Sequence, residues 1–370
     1  MEPSQPTGRS ADQDGLNAGE WRDFGAAEPQ AEASRPSAAP ARRLSATKLY
    51  TNAKPASLAV ERDRAREIVG LAKDTVTETF SEIRFGRKLQ AANLAPVVSA
   101  IAASVARSPT ALPSVTRFKL HDEYTYLHSV AVCGLMLALG NELRLPPELT
   151  QEIGLAGLLH DIGKARIDAE LLNKPGPLDL DEYARVQAHT LRGYELLRDS
   201  GIESEIALDV CLHHHERIDG KGYPSGISQE TLSIHARMAA VCDVFDAVTS
   251  NRSYKRSWSP GAALDWMMST TGHFDPRVLR AFRALLGVFP VGSLVLLESQ
   301  RLAVVVDEPA DAPTTPDVAV FLSADTRREL EPMRVSTRTD AIVGLEVAAK
   351  WGLVDFEPRR EALLDAFGSA

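Results

Sequence analysis

Between residues 60 and 80, Val60, Ile68, Leu71, Val76 and Phe80 recur among charged residues at the spacing of one helical face, which predicts an amphipathic helix. Residues 89–105 are aliphatic at similar spacing and predict a second helix, which Pro96 is expected to kink or divide. The helical pattern continues through 118–288 with short Gly and Pro punctuation. Near its end Asp275-Pro276 has the form of an N-cap followed by proline at the first helical position. The pattern then changes. Residues 293–298, 302–306 and 318–322 are short apolar or β-branched runs, the last two separated by a Pro-rich stretch over 308–316. They predict a small β appendage that closes with a helix near 359–367. Residues 1–45 are rich in Ala, Pro, Ser, Gln and Gly and cannot bury enough surface to offset ordering, so a disordered tail is expected there. The expected organisation is mainly α: a tail over 1–45, a helical lead-in over 56–117, a helical body over 118–288, and a β-rich appendage over 289–370 ending in a helix.

Composition narrows the function classes. A chain of 370 residues, 44% apolar and 25% charged, has ample material for a core. The net charge of −9 argues against broad nucleic-acid binding, so an anionic substrate would rely on metals and a few local cations. Cys133, Cys211 and Cys242 lie in apolar segments without CxxC spacing and read as core thiols in a reducing compartment. No apolar run reaches the length of a membrane span and no signal peptide is evident, so a cytoplasmic location is expected.

The candidate chemistry lies in two runs, HDIGK at 160–164 and HHHERIDGKGYP at 213–224. Setting His213 aside, they combine with His128, His189 and Asp243 to give five imidazoles and two carboxylates. Mixed nitrogen and oxygen ligands suit a pair of first-row divalent metals better than a structural zinc, which favours thiolates. Metal-assisted hydrolysis, most plausibly of a phosphate ester, is the chemistry expected.

Each residue also has a plainer reading. His128 shares an apolar stripe with Val132, Leu135 and Leu139, and taken alone reads as a core histidine with a hydrogen-bond partner. His160 and Asp161 close an apolar helix, about 100° apart, so that one can ligate a single metal while the carboxylate bridges to a second. Lys164, three residues on, either faces the same pocket or is a solvated lysine. His189 is assigned to the helix opened by Asp179 and Glu182, which have capping-box spacing. His214 follows Ile206 and Val210 at intervals of four, and His215 follows Ala207 and Cys211, so both point inward while His213 falls off that register. Asp243 stands in an apolar run among small alanines, either beside a metal or paired with a cation such as Arg237. Asp246 can orient a ligand or a water, or cap a neighbour; His121, His235 and His273 are expected to be structural.

Together, His128 in DEYTYLHS, the HDIGK run, LLNKPGPLDLDE at 171–182, His189, HHERIDGKGYP at 214–224, CDVFDAVTSNRSYK at 242–255 and HFDP at 273–276 resemble the HD-GYP family of HD phosphohydrolases. The resemblance covers about 118–285 and implies an HD-type helical bundle that hydrolyses the bacterial second messenger cyclic di-GMP. One 3′–5′ linkage would open to give linear pGpG, with a further cut to GMP left open. By motif position, His128, His160, Asp161 and Asp243 would hold one divalent metal, and Asp161, His189, His214 and His215 the second. Iron or manganese is implied, with a shared hydroxide as nucleophile. Family members with a third metal carry Glu where this chain has Tyr124, with Glu123 one step out of register, so two metals are expected. Lys164, Arg252 and Lys255 would meet the substrate phosphates, with Asp246 among the substrate-contacting residues. Tyr223 would either stack on a guanine or face a protein partner, and a diguanylate cyclase with a GGDEF domain is the implied partner of the GYP loop.

Three rivals stand beside this reading. The closest is an HD hydrolase of another cyclic dinucleotide, such as cyclic GMP-AMP, or of a nucleotide. A second is a non-catalytic module that senses cyclic di-GMP or binds a partner, although all seven ligand positions are filled. The third, a purely structural bundle, would have to bury five imidazoles and two carboxylates without metal.

Overall fold

The computed structural model describes residues 58–116, 124–172, 174, 176–250, 258–307, 315–354 and 356–368. Two long helices lead in, α1 (Leu58–Arg84) and α2 (Ala91–Arg107), followed by the short α3 (Ala111–Thr116). Ile68, Val69, Ala72, Val76, Phe80 and Ile83 form the buried stripe of α1, whereas Val60 is exposed. Pro96 does not divide α2. The helix runs through it unbroken, and Leu94, Val98, Ile101 and Val105 keep one buried face on both sides of the proline. Pro96 is the sixth residue of the helix, so the one intrahelical bond it forgoes is to the carbonyl of Ala92 in the first turn.

The centre is α4 (Tyr124–Glu142), apolar nearly all round and sheathed by other helices. Around it lie α5 (Pro147–Leu159), α6 (Ala169–Leu172), α7 (Leu180–Gln187), α8 (His189–Asp199), α9 (Glu205–His213), α10 (Ile234–Thr249), α11 (Pro260–Ser269) and α12 (Pro276–Leu286). Their starts follow the expected side-chain chemistry. Asp179 and Glu182 form a reciprocal capping box on α7, Ser204, Ser233 and Ser259 cap α9, α10 and α11, and Asp275 caps α12 with Pro276 at its first position. One expectation fails. His189 is not in the helix opened by Asp179, because the chain breaks at Ala188 and His189 begins α8.

The C-terminal part is a five-stranded antiparallel sheet, β1 (Leu294–Leu297), β2 (Arg301–Asp307), β3 (Asp317–Ser323), β4 (Glu329–Ser336) and β5 (Ile342–Leu345), followed by α13 (Phe356–Phe367). The strand order is β4-β3-β2-β1-β5. β1 to β3 are the apolar runs read from sequence; β4 and β5, at the edges, were not foreseen. An apolar cluster that includes Phe80, Ile101 and Leu112 of the lead-in continues into Val295, Val304 and Val320 of the sheet. A second cluster fills the space between α4, α5 and α9–α12.

Polar joints reinforce this packing. Glu61 is fully buried and accepts from Ser104 Oγ at 2.8 Å and from Arg107 Nε at 2.7 Å, which ties α1 to α2. Its neighbour Arg62, also buried, donates to Ser114 Oγ at 2.8 Å and to Glu361 and Asp365 of α13 at 3.0 and 3.1 Å. The three cysteines are buried and free, and burial raises each thiol so that it stays neutral. Among the described residues no helix is long and apolar enough to cross a membrane.

Candidate metal centre

Five helices deliver the seven candidate ligands to one place. His128 projects from the first turns of α4, and Asp243 from the middle of α10. His160 caps the C-terminus of α5, and Asp161 starts the tight 3-10 turn Ile162–Arg166. His189 is the first residue of α8. His214 caps α9 and His215 follows it, so both lie just past the helix rather than within it.

Close backbone approach makes this convergence possible. A Cβ on Gly163 would lie 1.9 Å from the His189 carbonyl oxygen and 2.6 Å from Gly193 N. Only glycine admits α8 so near the HDIGK turn. The break at Ala188 thus lets α8 start against this turn, with His189 at its tip. Gly222 serves the second motif in the same way, since a Cβ there would meet Glu216 Cα at 2.4 Å and His215 O at 2.6 Å.

Asp161 lies at the centre, with its two oxygens facing different groups. Oδ1 is 3.3 Å from His189 Nε2 and 3.8 Å from His214 Nε2. Oδ2 is 3.3 Å from His160 Nε2, 3.7 Å from His128 Nε2 and 2.6 Å from Lys164 Nζ. Asp243 Oδ1 adds a second carboxylate 2.9 Å from His128 Nε2, and its Oδ2 is 3.8 Å from His215 Nδ1. The donors therefore sort into two sets, Asp161 with His189, His214 and His215, and His128 with His160 and Asp243, each with its atoms within 4.8 Å of one another. Asp161 Oδ2 touches the second set as well.

The imidazoles are aimed from behind. His160 Nδ1 donates to Gly157 O at 2.7 Å, His189 Nδ1 to Val186 O at 2.8 Å, and His214 Nδ1 to Val210 O at 3.0 Å. Each Nε2 is thereby left as the inward lone pair. His128 Nδ1 meets Asp246 Oδ2 at 2.6 Å. Asp246 is buried behind His128, where it can orient that candidate ligand, one of the roles read for it from sequence; its contact with substrate stays a proposal.

The donor set fits cations on two grounds. His160 Nε2 and Asp161 Oδ1 are buried with no hydrogen-bond partner among the described residues, a costly state unless something fills the gap between them. The charge states also suit metal. Burial would raise the Asp161 carboxyl, yet Lys164 and His160 hold it well below the usual carboxylate range. Asp243 is held low against burial by His128. Burial and neighbouring imidazoles keep His214 well below its ordinary value, and burial pushes His215 down to about 3. His160 is the exception: Asp161 and Asp243 outweigh its burial and raise it, so a cation would have to displace its proton. Anionic oxygens and neutral imidazoles are the ligating forms.

Beside the centre opens a cleft of about 240 Å³, lined by Tyr183, His214, His215, Arg217, Tyr223 and His273 among others. Tyr223 stacks on His215, with ring centroids 4.6 Å apart and planes at 26°. Lys164 stands with Asp161, as anticipated, whereas Arg252, Lys255 and Glu123 lie outside the described residues. Arg237 pairs with Asp275 and not with Asp243. His213 turns away to Asp209 at 2.8 Å. Sequence reasoning missed Glu216, whose buried Oε1 accepts from Ser225 N at 2.7 Å and Gly226 N at 3.0 Å and so pins the loop carrying Gly222 and Tyr223. Its only signal was its place directly after the histidines.

The family model described as HD domain matches residues 96–278. The chain is 45% identical over 321 residues to the cyclic di-GMP phosphodiesterase PA4108 of Pseudomonas aeruginosa, covering 85% of this chain and 78% of that protein. It is 42% identical over 154 residues to the cyclic di-GMP phosphodiesterase response regulator RpfG of Xanthomonas campestris, covering 40% of this chain and 39% of that one. Among solved structures, Bd1817, an HDG"Y"P protein from Bdellovibrio bacteriovorus, aligns with a TM-score of 0.50 at 20% identity, over 61% of this chain and 72% of that chain, a likeness of fold.

Proposed function

This chain belongs to the HD domain family, in the HD-GYP branch whose motifs it carries, and from that premise we propose that it is a metal-dependent phosphodiesterase that hydrolyses cyclic di-GMP. The observation that carries the reading is Asp161, one buried carboxylate with an oxygen turned toward each of two imidazole groups. His128, His160, Asp161 and Asp243 would hold one divalent cation, and Asp161, His189, His214 and His215 the other. Bound there, the pair supplies Lewis-acid charge and lowers the pKa of water so that a nucleophile exists at neutral pH.

The chain's own groups do the rest. Backbone carbonyls and Asp246 fix the imidazole tautomers, so the donor geometry is set before substrate arrives. Lys164 is partly exposed beside Asp161, where its ammonium can neutralise a phosphoryl oxygen as charge builds during attack. Arg252 and Lys255 are assigned to the other phosphate on their motif positions, and Tyr223 to the cleft wall. Linear pGpG is the proposed product, with GMP as the product of a second cut. Iron or manganese fits the nitrogen and oxygen donor set. The division into lead-in, catalytic body and appendage, a cytoplasmic location and a diguanylate cyclase partner for the GYP loop complete the reading.

The test is direct. Protein purified without oxygen, with its metal content measured, is incubated with cyclic di-GMP and Fe(II) or Mn(II), and the nucleotides are separated over time. Linear pGpG that appears only with metal is expected. Intact protein that takes up no transition metal, or loaded protein that leaves the substrate unchanged, overturns the reading.

A further inference from the structure

Arg217 lies in the wall of the cleft beside His214 and His215, with half of its guanidinium already engaged. Its Nε and Nη2 donate to the two oxygens of Asp219 at 3.0 and 2.7 Å. Asp219 is fixed in turn, accepting from the Lys221 amide at 3.1 Å while its own amide donates to Gly272 O at 3.0 Å. One edge of the fork is thus clamped to the loop. The other, Nη1 with the remaining Nη2 hydrogen, has no partner among the described residues.

We propose that Arg217 is the specificity-determining residue for the base: the free edge of its fork donates to O6 and N7 of a guanine held in this cleft. The inference deepens the phosphodiesterase reading and rests on it for the choice of a nucleotide. Three features carry it.

The first is size. At about 240 Å³ the cleft is smaller than the roughly 300–1,000 Å³ of sites that enclose a whole drug-sized ligand, so it suits one flat base of a larger substrate. The second is the wall. Tyr183 and Tyr223 present rings at 73° with centroids 6.5 Å apart, and Ala240 and Val244 add apolar surface, a setting for a purine rather than for a phosphate. The third is the donor pattern. Arg217 and Lys221 are donor-only groups, and no carboxylate lines the cleft among the described residues. Guanine offers two acceptors on its O6/N7 edge, whereas adenine places an amino donor beside N7 and meets the same groups donor to donor. Asp219 also cancels the charge of Arg217, so the pair provides directed hydrogen bonds more than net attraction for an anion.

GMP and AMP carry the same phosphate and no diester, so their affinities for the metal-loaded full chain, measured by calorimetry, differ only through the base. Wild type is expected to bind GMP more tightly, and Arg217→Met to lose roughly ten- to a hundred-fold for GMP with little change for AMP. Arg217→Lys, which keeps the charge but not the fork, should behave like Arg217→Met, and the preference should not depend on salt. In turnover, the ratio of kcat/KM for cyclic di-GMP over cyclic di-AMP should collapse by the same factor. Melting curves identify any variant that fails to fold, and Asp219→Asn, which loosens the clamp while keeping Arg217, should then show an intermediate loss. A preference for GMP that survives in folded Arg217→Met, equal loss for GMP and AMP, or wild type without preference or without binding overturns the proposal. If no cyclic dinucleotide is hydrolysed while the GMP preference still follows Arg217, the phosphodiesterase reading fails and this one stands.

Discussion

Asp246 Oδ2 lies 2.6 Å from His128 Nδ1, on the side of the ring away from the candidate metal centre. The contact fixes the tautomer that turns Nε2 toward Asp243. Asp246→Ala should lower metal affinity about 10–100-fold with unchanged helix content. Metal titration beside circular dichroism checks this, and wild-type affinity would remove Asp246 from the centre's support.

Asp161→Asn keeps the shape of the side chain but removes its negative charge, leaving two imidazole groups with no anionic bridge. Turnover of cyclic di-GMP should vanish, and metal content should fall below one ion per chain. Elemental analysis of folded protein decides the matter; a variant with full metal content and normal rate would show that the two groups do not depend on Asp161.

Gly163→Ala puts a methyl group 1.9 Å from the His189 carbonyl oxygen. Neither backbone can yield without moving α8, so a cost of about 3 kcal/mol is expected, together with weaker metal uptake as His189 shifts. Urea unfolding measures the first effect and metal titration the second. An unchanged unfolding midpoint would mean that the approach of α8 is looser than described.

His273 provides the pH dependence. Burial and the nearby Arg217 charge push its imidazole down to about 3, against about 6.5 in the unfolded chain. The unfolded state therefore binds the extra proton first, so this contribution to stability is complete above about 6.5 and is lost as pH falls toward 3. Between pH 7.5 and 5, with chelator present, wild type should lose more stability than His273→Gln. Parallel curves for the two proteins would count against a neutral buried His273.

Glu61→Gln leaves Arg107 with no anionic partner among the described residues, in a nearly closed site. Removal of one member of a buried pair costs about 3 kcal/mol. The joint lies in the lead-in helices, away from the candidate ligands, so turnover by folded, metal-loaded protein should be unchanged. Chemical denaturation and a rate assay read the two effects separately.

Much of this arrangement was legible because core helices write their period into the sequence. The candidate ligands stood out because acids and imidazoles ended runs that were otherwise apolar, as at His160 and His214. Other features depend on partners that no local window contains. Glu61 and Arg62 carry no local signal of burial, yet Arg62 is buried against residues 52 and 299 positions away. The break before His189 is silent because Ala188 suits a helix well. Strand β4 mixes charges with Pro332, and β5 is four residues long with Gly344 inside it, so neither shows the alternation of a core strand. Glu216 was hidden because the amides it accepts from lie nine and ten residues ahead.

Five helices and the turns at their ends position the seven candidate donors, which are spread from residue 128 to residue 243 of the chain. Such a cage is complete only when the surrounding helices have docked, so cation binding and helix docking would stabilise one another. A slip of any one helix would then spill the ions well before the bundle itself gave way, making cation retention a sensitive gauge of damage anywhere in the body.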